Sequence, residues 1–298
     1  MNDITLLDGG MGQELVKRAP EAPTNLWATQ VMLDHPGMVQ AIHQDYFEAG
    51  ATVATTNTYA IHHDRFAGTG LDARFEEFFD LALTEAQAAT KGRTGVKVAG
   101  SIGPLAASYR PDLHPPHNEA VAKYTEIAAL LAPKVDFILC ETVVSLAHAR
   151  AVVEGAMTAG KPVWLAVSVD DQDGNLLRSG EPIAKICAIA TETGVSALLV
   201  NCSAPEAMQA ALKALSQCTL PFGAYANGFE RISKAFLGDK PTVDALSARR
   251  DLGPKTYADH AMGWVEQGAS IVGGCCEVGP AHIAELARRL TAAGHRIV

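Results

Sequence analysis

Eight times along the 298 residues, a short apolar run gives way to a polar turn and then to a longer stretch with apolar side chains at helical spacing. The apolar runs fall at 4–7, 53–57, 96–101, 137–140, 163–169, 197–200, 222–225 and 270–272. The helical stretches fall at 36–50, 71–89, 119–131, 146–159, 182–193, 205–215, 255–267 and 281–292. Val39, Ile42, Tyr46 and Ala49 share one side of the first of these, and Phe75, Phe78, Leu81 and Ala82 one side of the second. Strands alternating with helices predict a parallel sheet. Eight such units in a chain of this length fit a closed (β/α)8 TIM barrel better than an open sheet. No long linker or low-complexity tract interrupts them, so residues 1–298 read as one α/β domain. The excursion 228–250 has no assigned role.

The gross numbers restrict the partners. A formal net charge of −9 excludes nucleic acid as the main ligand, because phosphate binding needs a basic patch. No apolar run reaches the roughly 20 residues of a membrane span, and the N-terminus shows no secretory signal. Six cysteines in so long a chain do not form a disulfide framework, and a reducing cytoplasm is the expected compartment. A small-molecule partner remains, on a monomer or small homo-oligomer.

In a barrel, function belongs at the carboxyl ends of the strands. The unusual polar residues sit there: Asp8, then Asn57 and Tyr59, Ser101, Glu141, Asn201 and Cys202, Asn227, and finally Cys275 and Cys276. A closed barrel sets the first strand beside the eighth, so Asp8 is expected near the cysteine pair. Blander roles compete at each position. For Asp8 the blander role is to cap the turn made by Gly9 and Gly10, for Glu141 to hold backbone amides, and for Asn57 and Asn201 to bond neighbouring loops.

Cys275 and Cys276 follow Gly273-Gly274, and Cys202 ends an earlier apolar run. Three soft ligands leave one position open on a tetrahedral zinc, which is the catalytic rather than the structural arrangement. The competing readings are buried free thiols, which pack as small hydrophobes, and a vicinal disulfide. Cys140, Cys187 and Cys218 fall inside strand or helix patterns and are expected as core thiols. The ten histidines have no metal-ligand spacing and are expected on the surface or in loops.

Taken together, Asp8-Gly9-Gly10-Met11-Gly12, Thr56-Asn57-Thr58-Tyr59, Gly100-Ser101-Ile102-Gly103-Pro104, Cys140-Glu141-Thr142, Asn201-Cys202 and Gly273-Gly274-Cys275-Cys276 resemble the zinc-dependent homocysteine S-methyltransferase family. The likeness covers nearly the whole chain, in order. It implies a barrel in which Cys202, Cys275 and Cys276 hold Zn2+. Glu141 and Asp8 would meet the amino group of L-homocysteine, and backbone amides around Gly9 and Gly10 its carboxylate. Asn57 and Ser101 complete the implied amino-acid site. Trp27 and Tyr59, which composition alone would place in the core, match the aromatic residues around a cationic methyl donor. Thr142 departs from the pattern, standing where betaine-using members carry a tyrosine.

The implied reaction moves a methyl group from an onium donor to homocysteine, giving methionine. S-Methylmethionine is the first donor expected, ahead of S-adenosylmethionine, betaine and dimethylsulfonium compounds. Two other classes compete: a zinc-binding barrel without catalysis, and a barrel lyase or aldolase with incidental cysteines.

Overall fold

Period-two alternation along the apolar runs decides which side chains point where. The computed structural model describes residues 2–21, 24, 26–230, 232, 237 and 247–298. In chain order the elements are β1 (Asp3–Leu6), α1 (Met11–Arg18), α2 (Ala28–Asp34), α3 (Met38–Glu48), β2 (Val53–Thr55), α4 (His63–Phe66) and α5 (Phe75–Thr90). Next come β3 (Lys97–Ile102), α6 (His117–Leu131), β4 (Phe137–Val143), α7 (Leu146–Met157), β5 (Val163–Val167), α8 (Ile186–Thr193), β6 (Ala197–Asn201) and α9 (Met208–Leu215). The chain ends with β7 (Phe222–Ala226), α10 (Pro254–Glu266), β8 (Ile271–Gly274), α11 (Pro280–Ala292) and β9 (Arg296–Ile297).

The sheet is parallel throughout, in the order β2-β3-β4-β5-β6-β7-β8-β1-β9. A parallel bridge from Leu7 to Val53 brings the first strand against the second, and the Thr52 N–H donates to the Leu6 carbonyl at 2.7 Å. Those contacts close the expected barrel. Leu7, Val53, Ala99, Phe137, Leu139, Ala166, Ala197, Leu199, Tyr225 and Ile271 point inward and form one apolar cluster. Their neighbours one residue away, such as Ile138, Cys140, Leu198 and Val200, pack in the separate layer beneath the helices. The same parity carries Thr55, Ser101, Glu141 and Asn201 to the inner side of the barrel mouth.

Several local expectations need revision. α1 and α2 were not anticipated, because each spans only about two turns and has no long apolar repeat. β4 runs three residues beyond the expected 140, through a register shift between Cys140 and Val143 where Thr142 takes φ +57°. β9 pairs with the start of β1, and Asp3 and Arg296 form an ion pair there. Cys187 and Cys218 are half-buried and joined in a disulfide rather than packed as core thiols; their Cα atoms are 5.6 Å apart. α8 and the turn just after α9 come together at this bridge, so residues 31 apart in sequence meet. Cys140 is fully buried, as expected. The histidines divide: His43, His62 and His148 are buried rather than superficial, since α3, α4 and α7 press them against the barrel. No described helix is long and apolar enough to cross a membrane. Most of the excursion 228–250 lies outside the described residues.

Candidate active site

A pocket opens at the carboxyl ends of the strands, enclosing about 960 Å³ with the solvent at its mouth included. Asp8, Gly9, Gly10, Trp27, Asn57, Tyr59, Ser101, Glu141, Cys202, Cys275 and Cys276 all line it. Every residue the sequence nominated for substrate, donor or metal is therefore on one wall or another of the same cavity. Asn201 and Asn227, also at strand ends, are not. Asn201 instead accepts the Thr142 N–H at 3.0 Å, the blander of its two readings.

The three cysteine sulfurs lie within 4.8 Å of one another. A tetrahedral ion with metal–sulfur bonds of about 2.3 Å spaces its sulfurs by about 3.8 Å, so the trio fits such an ion with little adjustment. Cys202 reaches the others from a left-handed backbone conformation, φ +47°, which turns its side chain across the mouth from β6. Hydrogen bonds from Cys275, Cys276, Thr142 and Tyr109 hold the Cys202 thiol well below its ordinary range. The same crowding pushes Cys275 and Cys276 up. Three adjacent thiolates repel one another, and a cation between them removes that conflict. The donor set is soft, closed on one side and open toward the pocket, as a zinc site with one free position requires.

Two buried carboxyls face the same space. Glu141 accepts the Ser101 hydroxyl at 2.5 Å and the Tyr225 hydroxyl at 3.0 Å. Desolvation outweighs both bonds and pushes its carboxyl up to about 8. Asp8 accepts the Thr55 N–H and hydroxyl, both at 2.7 Å, across the seam between the first two strands. Burial raises it to about 7. Asp8 thus fastens β2 to β1 rather than capping its own turn. A carboxyl whose charged form is disfavoured chiefly by burial is relieved when an ammonium arrives beside it.

The glycines also serve the packing of the loops. The Gly10 N–H already donates to the Val278 carbonyl at 3.0 Å, so it is not free to hold a carboxylate. A Cβ on Gly9 would stand 2.0 Å from the same carbonyl. Close approach of the loop after β8, more than approach of a ligand, demands glycine here. Gly12 has a similar origin: a Cβ there would lie 2.2 Å from the Trp27 ring, which rests against the bare backbone of α1.

Aromatic side chains form much of the remaining wall. Tyr59 bonds Ser108 through its hydroxyl at 2.8 Å, and Tyr109 and Phe229 complete the lining with Trp27. The Arg178 guanidinium lies over the Tyr109 ring, 5.0 Å from its centre. Trp27, Tyr109 and Cys202 all have positive φ, between +47° and +63°. Such strain in non-glycine residues collects where function fixes the backbone.

Sequence reasoning missed Gln13, Arg65, Tyr225 and Phe229 as lining residues. Tyr225 was recoverable from strand parity, since it stands level with Asn201 on the neighbouring strand. The others lie on a short helix or a loop, where no periodicity points inward.

Comparison with known proteins places these features. A family model described as homocysteine S-methyltransferase matches residues 5–290. The homocysteine S-methyltransferase of Escherichia coli is 32% identical, over 96% of this chain and 95% of the relative. A second one, YbgG of Bacillus subtilis, is 26% identical over 95% and 93%. The selenocysteine Se-methyltransferase of Brassica oleracea is 23% identical over 96% and 89%. The crystal structure of the Escherichia coli homocysteine methyltransferase MmuM in its metallated form superposes with a TM-score of 0.81, at 29% identity and covering 97% of this chain and 96% of that one.

Proposed function

The chain belongs to the homocysteine S-methyltransferase family, and we propose that its single barrel domain transfers a methyl group from S-methylmethionine to L-homocysteine at a zinc held by Cys202, Cys275 and Cys276. The enzyme class, homocysteine S-methyltransferase, follows from the family; the donor, the metal and the residue roles are the proposal. The observation that carries it is the convergence of three thiols within 4.8 Å and two buried carboxyls on one pocket. That the Escherichia coli homocysteine methyltransferase has been solved in a metallated form supports a metal in a protein of this fold.

Zinc bound by these sulfurs would supply an ionised, electron-rich homocysteine sulfur at neutral pH, where a free thiol with a pKa of about 8.5 is mostly protonated. The chain supplies position. Glu141, steadied by Ser101 and Tyr225, and Asp8, fixed by Thr55, receive the substrate ammonium. Asn57, whose amide donates to the Ala28 carbonyl at 3.4 Å, holds the rim beside them. Sulfur and ammonium anchored at two points leave the acceptor one orientation.

Above it, Trp27 and Tyr59 attract an onium centre through their ring faces, at roughly 0.5–2 kcal/mol each. The acceptor sulfur forms a bond to the methyl carbon as the donor's onium–carbon bond breaks, and the donor leaves as a neutral molecule. No proton moves at the methyl group, so Glu141 positions and does not act as a base. A sulfonium releases a thioether, a better leaving group than an amine, which favours S-methylmethionine over betaine. Alignment of thiolate and methyl supplies much of the acceleration.

The test combines zinc quantification with methionine formation across S-methylmethionine, S-adenosylmethionine, betaine and a dimethylsulfonium compound. One zinc per chain and turnover with S-methylmethionine are expected. Full turnover after complete metal stripping would end the zinc assignment, and preference for another donor would replace S-methylmethionine.

A further inference from the structure

Among the described residues that line the pocket, Asp8 and Glu141 are the acids and Arg65 is the single base. Arg65 is half-buried, and no carboxylate among the described residues pairs with its guanidinium. That sets it apart. Arg18, Arg74, Arg93, Arg110, Arg150, Arg178, Arg249, Arg288, Arg289 and Arg296 all have carboxylate partners. Of the other described arginines only the exposed Arg250 shares its condition.

The backbone beneath Arg65 is firmly held. Phe66 is fully buried and stacks on Phe78 at 4.8 Å, and His63 stacks on Phe75 at 3.8 Å. Asp64 accepts the Ala106 N–H at 2.5 Å, tying α4 to the loop that carries Ser108 and Tyr109. The guanidinium is therefore presented to the pocket from a braced turn, six residues beyond Tyr59. Asp8 and Glu141 are deeply buried, whereas Arg65 is partly open to solvent, nearer the entrance where the second substrate must sit.

A bare cation beside a cage for an onium group is a conflict unless the incoming molecule brings an anion. We infer that Arg65 receives the carboxylate of the methyl donor, and that the donor is a zwitterionic onium compound with its carboxylate a few bonds from the methylated atom. Guanidinium and carboxylate match in a two-pronged hydrogen-bonded pair. The pair would align the onium carbon over the acceptor and would disfavour cations that carry no anion. This rests on the methyl-transfer reading above and adds to it the residue that selects a carboxylate-bearing donor.

The test compares the unaltered protein with Arg65→Gln and Arg65→Lys, using S-methylmethionine and betaine against trimethylsulfonium, which lacks a carboxylate. In Arg65→Gln, kcat/KM for the better zwitterionic donor should fall about 10- to 100-fold through KM, as expected for loss of a charged hydrogen bond. The homocysteine KM and the zinc content should stay unchanged, and trimethylsulfonium should be used as well as before or better. Arg65→Lys should recover part of the loss. An equal fall for zwitterionic and carboxylate-free donors, or a rise in the homocysteine KM in place of the donor KM, would overturn the inference. Absence of turnover by the unaltered protein with every onium donor would instead remove the transfer reading, and this inference with it.

Discussion

The barrel buries two groups of titratable side chains, and they behave in opposite ways. At the mouth, desolvation pushes Asp8 to about 7 and Glu141 to about 8. Beneath the helices, the same effect drives His43 down to about 3, His62 to about 4, and His148 well below its usual value. The histidines end far from neutral pH among packed side chains, His43 with a ring nitrogen 3.8 Å from the Asp8 carboxylate. His148 bonds the Tyr124 hydroxyl at 2.9 Å, and no cavity waits for it. The carboxyls end near neutral pH and face open space. Burial alone marks neither as functional; a shift that stops in the working range, beside room for an opposite charge, does.

The largest effect is expected at the cysteines. Cys202→Ala should remove bound zinc and lower turnover roughly a thousandfold or more, because two remaining sulfurs hold the ion poorly. Zinc analysis and a methionine assay read both, and retention of one tightly bound ion with full activity would reject the ligand set. Glu141→Gln comes next. Homocysteine kcat/KM should fall about 30- to 1000-fold, the usual cost of removing one member of a buried charge pair, with zinc content near the unaltered level. Loss of zinc would place Glu141 on the metal instead.

That same substitution should stabilise the ligand-free protein. Glu141 holds its proton more tightly folded than unfolded, so its contribution is fully present below about pH 4 and disappears as pH rises through about 8. The buried histidines work the other way: their contribution is present above about 6.5 and is lost as pH falls. Between pH 6.5 and 8 the histidines are silent and the carboxyls dominate the contrast. The stability of Glu141→Gln relative to the unaltered protein should therefore climb by up to about 1.4 kcal/mol per pH unit in that window. Denaturant titrations at several pH values measure it, and a flat difference would mean the carboxyl is ionised in the empty site.

Much of this mouth could be read before any coordinates. Strand parity carries Thr55, Ser101 and Glu141 inward, and paired glycines before paired cysteines mark the end of the last strand. Arg65 was hidden because α4 spans only four residues and has no period to interpret. The Cys187–Cys218 bridge was hidden because the meeting of α8 with the turn after α9 is a tertiary fact. The histidines were misplaced for a related reason. Polarity suggests solvent, and only the packing of α3, α4 and α7 against the barrel reveals that their rings are neutral and enclosed.

A smaller effect is expected at Trp27. Trp27→Ala should raise the donor KM about 2- to 30-fold, the worth of one cation–aromatic contact, and leave the homocysteine KM unchanged. Initial rates at varied concentrations of both substrates separate the two, and an unchanged donor KM would remove the indole from the donor site.

The smallest kinetic effect should come from His148→Ala, which sharpens the contrast between the two buried groups. The Tyr124 hydroxyl and the Val144 N–H, which bonds the ring at 3.4 Å, both lose a partner. Stability should drop by about 1–3 kcal/mol, the cost of leaving buried polar groups unmatched. Above pH 6.5 the ring is neutral whether the chain is folded or not, so that gap should hold constant there. Below it the unaltered protein also loses stability, because the unfolded chain gains a proton that the folded one refuses, and the gap should narrow. Turnover should change less than threefold, with the same pH profile. A shifted profile would show that a proton on His148 reaches the active site, and the division between a responsive mouth and a silent outer layer would fail.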